Sequence, residues 1–226
     1  MWAEGLSKVA SSREFLVGRC LSQSERQTYR SLSLKRQKEW LSGRIAAKDA
    51  ARGLLWSQGS PPIFPLEINT IPIAEGGFKY DLSDLNQSNP PKYTQSLIGS
   101  LAHTQYGAIA IAFTESTSLN SYQVGIDCER IQQRDPVWTK TAFSHTDLKW
   151  VGMDPYKQTA GWSAKEALAK ALGRGLGHPK KWEITQWTLS QDSQSPYDLI
   201  YINHNPVFVT IYKDHVIAWC IIELQV

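Results

Sequence analysis

The earliest clear pattern along the chain is helical. Ser22-Gln23-Ser24-Glu25 fits a capping box, and after it Leu34, Leu41, Ile45 and Leu55 recur at roughly helical spacing as far as Trp56. This predicts a long helix with a break in the Ser31-Leu32-Ser33 region. Pro61, Pro62, Pro65 and Pro72 then interrupt helical structure, and the alternation from Glu67 to Ile73 suits a short strand. Asp81 to Lys92 is polar and proline-bearing and reads as a surface loop. Tyr106 to Phe113 is small, apolar and strand-like, and Tyr122 to Ile131 is strand-like again after a polar bridge from Glu115 to Ser121. Thr139 to Trp150 and Pro155 to Leu172 read as helices, the second stopped by Gly173. Strands around Trp182 to Leu189, Asp198 to Asn203, Val207 to Tyr212 and His215 to Leu224 complete the chain. Helix and strand run together in both halves, so the fold class is α+β. The polar bridge is the natural boundary, giving residues 1–118 and 119–226 as the two parts.

Composition narrows the class. With 226 residues, 42% of them hydrophobic, the chain can bury a substantial core as one large or two small domains, and disorder is excluded as the default. The formal charge of +3 is too mild to imply nucleic acid, so any attraction to anions must come from local arrangement. Cys20, Cys128 and Cys220 lie far apart without a C-x-x-C pair, which argues against a zinc site or a disulfide framework and suits a reducing compartment. Met1 to Ala10 does not read as a signal peptide, and no apolar run approaches the ~20 residues a membrane helix needs. A soluble, cytoplasmic protein is expected.

Candidate chemistry concentrates in two segments, Gly125-Ile126-Asp127-Cys128-Glu129 and Trp162-Ser163-Ala164-Lys165-Glu166-Ala167-Leu168-Ala169-Lys170. In a strand alternate side chains share a face, so Asp127 and Glu129 point together; in a helix Glu166 and Lys170, four apart, share a stripe. Three carboxylates from a strand and a helix suit one hard cation, magnesium being the expected one. Each residue also has a plainer reading. Asp127 and Glu129 fit the solvent face of an edge strand, although Val124-Gly125-Ile126 leads into them as a buried strand would, and a buried unpaired carboxylate is costly. Glu166 fits a cap on a helix starting at Ser163, unless the helix starts at Asp154-Pro155. Lys165 and Lys170 fit an ordinary alanine-rich helix surface, with Lys170 the better ligand contact because it shares the stripe of Glu166. His103 and Arg44 have structural readings as well. Gly173-Arg174-Gly175-Leu176-Gly177 lacks the ending of a phosphate loop and reads as helix termination. The nine tryptophans are scattered, which suits core and cleft walls better than stacking platforms for nucleic acid.

Together, G-I-D-x-E at Gly125 to Glu129 and W-S-x-K-E-A-x-x-K at Trp162 to Lys170 resemble the signature of the Sfp-type 4'-phosphopantetheinyl transferases. Ser100-Leu101-Ala102-His103-Thr104 looks like the family's histidine motif, and Glu39 to Lys48 is similar to its N-terminal segment. Two departures stand out. Ala102 replaces a common serine, and the usual Gly-Lys-Pro has only Gly77-Phe78-Lys79 and Pro90-Pro91-Lys92 as rival counterparts. The resemblance implies two similar α/β halves about a pseudo-twofold axis with the site in the cleft between them. It also implies transfer of the phosphopantetheine arm of coenzyme A to a serine of an acyl or peptidyl carrier protein, releasing adenosine 3',5'-bisphosphate. Asp127, Glu129 and Glu166 would hold Mg2+; His103, Lys170 and Lys165 would hold the pyrophosphate; Arg44 would grip the nucleotide phosphates. Glu166 would take the serine proton, directly or through a water. Fatty-acid, polyketide and nonribosomal peptide synthesis are all candidate settings. A monomer that binds neither nucleic acid nor membrane is expected, and a catalytically impaired homologue that still binds coenzyme A is the alternative.

Overall fold

Ser22 starts a helix as the capping box requires: its hydroxyl accepts from the Glu25 N–H, and the Glu25 carboxylate accepts from the Ser22 N–H at 3.0 Å. The structure is a computed structural model that describes residues 10–73, 76–85, 93, 95–104, 107–115, 121–190 and 196–224. Helix α1 (Ala10–Cys20), which the pattern does not announce, precedes α2 (Gln23–Ser31). Leu32 is extended and separates α2 from α3 (Leu34–Ser57), so the break falls where the Ser31-Leu32-Ser33 region places it.

Helix α3 lies over an antiparallel sheet of β1 (Asn69–Pro72), β2 (Phe78–Asp81), β3 (Leu97–Thr104) and β4 (Gly107–Thr114), in the order β1-β2-β3-β4. Ala47, Ala51 and Leu55 of α3 meet Phe78, Tyr80 and Leu97 of the sheet in one buried cluster. Pro72 is tolerated because it ends an edge strand, where a missing N–H leaves no ladder bond broken inside the sheet. The expected loop from Asp81 is in part structured: Asp81 closes β2 and Ser83–Leu85 forms a 3-10 turn, while residues 86–92 lie outside the described residues.

The chain packs as two compact units, one running to Ser121 and the other Tyr122–Leu224. The second takes all of β5 (Ser121–Arg130) but its first residue and continues through α4 (Pro136–Ala142), α5 (Leu148–Val151) and α6 (Pro155–Ala171). Strands β6 (Ile184–Thr188), β7 (Asp198–Ile202), β8 (Asn205–Tyr212) and β9 (His215–Leu224) form an antiparallel meander, and the sheet order is β5-β9-β8-β7-β6. Helix α6 packs on this sheet, burying Ala164, Ala167, Leu168 and Ala171 against Ile200, Val207, Val209 and Ala218. Complete burial of one such leucine stabilises by roughly 1.5–3 kcal/mol.

One expected element is corrected. Thr139 to Trp150 is not a single helix but α4 and α5 with a turn between them. Asp135 caps α4 by accepting from the Val137 N–H, with Pro136 in the first turn. Asp147, expected inside the helix, instead turns its carboxylate onto the Ser144 and Ile184 N–H groups. Among the described residues no helix is long and apolar enough to cross a membrane.

Candidate functional site

The boundaries of α6 settle how its polar residues are displayed. Asp154 caps it, accepting from the Lys157 N–H at 2.9 Å, and Pro155 occupies the first turn; Gly173, at φ 62°, ends it, with the Arg174 N–H closing on the Ala169 carbonyl. Glu166 therefore stands well inside the helix and is no cap for Ser163, whose hydroxyl is buried and makes no hydrogen bond. From Gln158 to Ala171 every residue is buried except Trp162, Glu166 and Lys170. These three are spaced by four and form a single accessible stripe.

Strand β5 approaches this helix closely. A Cβ on Gly125 would lie 1.9 Å from the Ala167 carbonyl oxygen, so only glycine allows the contact. Strand periodicity puts Asp127 and Glu129 on the same face as Gly125, toward α6. Asp127 is buried, and its Oδ1 accepts from Lys170 Nζ at 2.8 Å, which also donates to the Ile126 carbonyl at 3.1 Å. Asp127 Oδ2 is buried without a hydrogen-bond partner. Burial, and then the charge of Asp127, raise the carboxyls of both Glu129 and Glu166 above the ordinary glutamate value, and Glu129 adds to the rise at Glu166. The three acids thus act on one another.

These residues fit a hard divalent ion. An orphaned buried carboxylate oxygen and two acids whose charges are disfavoured would all be relieved by it. Among the described residues no three His, Cys, Asp or Glu side chains form a ready-made metal cage. Magnesium keeps several waters and needs only one or two protein carboxylates, which suits a site of this kind.

Lys165 requires a correction. It is fully buried, and Nζ donates to Asp147 at 2.7 Å and to the carbonyls of Ala142 and Pro179 at 3.1 Å each. All three ammonium donors are used inside the unit, so Lys165 is a structural tie between α6, the α4–α5 turn and the Pro179–Lys181 turn rather than a ligand contact. Burial pulls its ammonium below the ordinary value, and Asp147 opposes the fall.

In the N-terminal unit, α3 brings Arg44 and Gly43 to the sheet. Arg44 donates to the Thr70 hydroxyl and lies over the Trp40 ring, 4.7 Å from its centroid. Burial pulls its guanidinium below the ordinary value, with Glu25 opposing. His103 is exposed near the end of β3, with its imidazole against α3: a Cβ on Gly43 would lie 2.9 Å from His103 Cε1. Lys79 pairs with Ile98 in the sheet, which puts it on the face opposite His103; Lys92 lies outside the described residues. Lys48 is buried and bonded to Glu25 and to the Cys20 carbonyl, tying α3 to the α2 cap.

Two residues escape the sequence reading. Arg134 donates to Glu129 at 3.2 Å, and Asp147 is the partner of Lys165. Both come from connecting segments whose periodicity says nothing about where a side chain lands; the only available signal is their charge, opposite to that of a candidate residue. No curated protein matches the chain. Residues 123–220, which span nearly all of β5 through most of β9, match the family described as the 4'-phosphopantetheinyl transferase superfamily, so the C-terminal unit carries a domain of that superfamily.

Proposed function

We propose that the protein transfers the 4'-phosphopantetheine arm of coenzyme A to a serine hydroxyl of an acyl or peptidyl carrier protein, releasing adenosine 3',5'-bisphosphate in a Mg2+-dependent reaction. The observation that carries this reading is the accessible stripe of α6. In a helix otherwise buried from Gln158 to Ala171, it offers Glu166 and Lys170 beside a buried Asp127 with a free oxygen, within a domain of the phosphopantetheinyl transferase superfamily.

The reaction forms a bond from the serine oxygen to the β-phosphorus and breaks the bond from that phosphorus to the bridging oxygen, so negative charge collects on the departing bisphosphate. Lys170 would stabilise it, a role supported by an ammonium that reaches Asp127 from the accessible stripe. Asp127, Glu129 and Glu166 would hold Mg2+, which supplies charge neutralisation on the pyrophosphate oxygens. Glu166 would take the serine proton through a water, since a carboxylate that holds Mg2+ is itself a weak base. Arg44 serves the nucleotide phosphates with its planar fork and His103 donates to a pyrophosphate oxygen. Lys165 has no ligand role here and fixes the pitch of α6 against its neighbours.

Incubation with coenzyme A, Mg2+ and a panel of apo carriers from fatty-acid, polyketide and nonribosomal peptide synthesis tests the proposal. A carrier mass gain equal to one phosphopantetheine arm is the expected result. Calorimetric binding of coenzyme A without any mass gain would identify a binding homologue and overturn the transfer reading. Lys180 and Lys181 are exposed after α6 and suit docking of an acidic carrier. Added salt should then slow transfer more than it weakens coenzyme A binding.

A further inference from the structure

We infer that Arg134, seated on Trp138, is a positioning residue that holds the Glu129 carboxylate in the orientation needed for divalent-cation binding. This rests on the proposed function and adds to it a residue outside both motif segments.

An ion pair alone would be weak grounds, since exposed pairs contribute little. Arg134 is not such a pair. Its side chain is only 15% exposed, against 35% for Glu129, and its guanidinium carbon lies over Trp138 at 4.6 Å from the ring centroid. Trp138 in turn packs edge-on against Phe143, with centroids 5.9 Å apart, and lies tilted against Trp162 at 5.2 Å. Trp162 belongs to the accessible stripe of α6 that carries Glu166. A continuous series of ring contacts therefore runs from the stripe, through two indole rings, to the guanidinium that bonds Glu129.

The chain is built to deliver Arg134 to that place. After β5 ends at Arg130, the Ile131 N–H donates to the Asp214 carbonyl at 2.8 Å, and four residues later Asp135 and Pro136 start α4, which carries Trp138. The segment between is pinned at both ends. Arg134 Nε is buried and makes no hydrogen bond, so the guanidinium sits where packing and Glu129 hold it, at the expense of one of its own donors. The arginine occupies a single oxygen of a carboxylate at the strand end and so limits the orientations that carboxylate adopts. Outer partners of this kind tune a metal site by orienting its ligands.

The test uses the full chain and Mn2+ alone as probe, with binding read by calorimetry and by the electron paramagnetic resonance signal of free Mn2+. Arg134→Met should weaken Mn2+ binding by about 10- to 100-fold, and the Mg2+ concentration needed for half-maximal transfer should rise while the KM for coenzyme A stays near that of the wild type. In the Glu129→Gln background the same change should cause no further loss, because its effect passes through Glu129. Wild-type Mn2+ affinity in Arg134→Met, an equal loss with and without Glu129, or a loss confined to coenzyme A binding would each overturn the inference. Should Arg134→Met not fold, Arg134→Gln takes its place with the same expectations. Wild-type protein that binds Mn2+ but modifies no carrier would defeat the proposed function instead, so the two failures are distinct.

Discussion

Gly125→Ala is the sharpest test of how β5 and α6 build the site. The added Cβ would lie 1.9 Å from the Ala167 carbonyl oxygen and 2.7 Å from the Ala171 nitrogen, whereas ordinary contact begins at 3.4 Å. Both opposing atoms are helix backbone and cannot rotate away, so strand and helix must separate by about 1.5 Å, the difference between 3.4 and 1.9. Overpacking commonly costs about 1–3 kcal/mol, and a backbone obstacle places this case at the upper end. With a urea dependence of about 2–3 kcal/mol per molar, a loss of ~3 kcal/mol lowers the unfolding midpoint by about 1–1.5 M. The same movement pulls Asp127 from its 2.8 Å contact with Lys170, and a misplacement of about 1 Å at a reacting centre lowers the rate on the order of 100-fold. Urea unfolding followed by the fluorescence of Trp162, Trp182 and Trp187, together with carrier modification, measures both effects. A variant whose midpoint stays within about 0.3 M of wild type and whose transfer is near normal would refute the close approach.

Four further outcomes are expected. Asp147→Ala leaves the fully buried Lys165 ammonium unpaired and should destabilise by about 3–5 kcal/mol in urea unfolding; a loss below ~1 kcal/mol would show that Lys165 sheds its proton or finds another partner. Gly43→Ala meets a side chain rather than backbone, so the His103 ring swings aside: stability should hardly change, while the KM for coenzyme A rises and the imidazole resonances shift. Burial raises the Cys20 thiol above its ordinary value and pushes Cys128 and Cys220 up to about 12. Ellman's reagent at pH 8 should therefore react with none of the three quickly until urea exposes them. Glu129 and Glu166 have folded values above the ordinary 4.5, so the folded state binds their protons more readily than the unfolded state. Their favourable contribution is complete below that value and is lost as pH rises through the raised values. With a chelator present the unfolding temperature should fall across that rise, and Mg2+ should restore part of it at neutral pH; no restoration would count against a cation among these acids.

The parts of the site that could be read from residues alone are those lying within one regular element. Asp127 and Glu129 share a face because β5 has period two, and Glu166 and Lys170 share a stripe because α6 turns once in 3.6 residues. The same arithmetic separates Lys165 from Lys170: five residues rotate a helix by about 140° beyond a full turn, so the two lysines cannot serve one ligand. Family likeness placed both at the pyrophosphate, but the helix geometry leaves Lys165 in the core with Asp147 and only Lys170 on the accessible stripe. Asp147 defeated the helix reading of Thr139 to Trp150 for a related reason. A side chain that accepts from the Ser144 and Ile184 N–H groups and from a buried lysine outweighs the weak helical preference of its neighbours. Strand β2 was missed because four residues after a glycine pair offer too short an alternation, although Phe78 and Tyr80 are the buried pair that seats α3.

Arg134 marks the limit of this kind of reading. Its distance from Glu129 along the chain fits neither period, and only the reversal between β5 and α4 brings the two together. Candidate ligands carried on regular elements are thus legible by count, whereas side chains on turns that contact them become visible only once the elements are packed. That difference has a physical origin: a period is fixed by backbone geometry, while the path of a turn is fixed by what it must reach. For this domain the carboxylates could be named from spacing, but the grip on Glu129 depends on Asp135 and Pro136 starting a helix at the one point that lays Trp138 beneath the guanidinium.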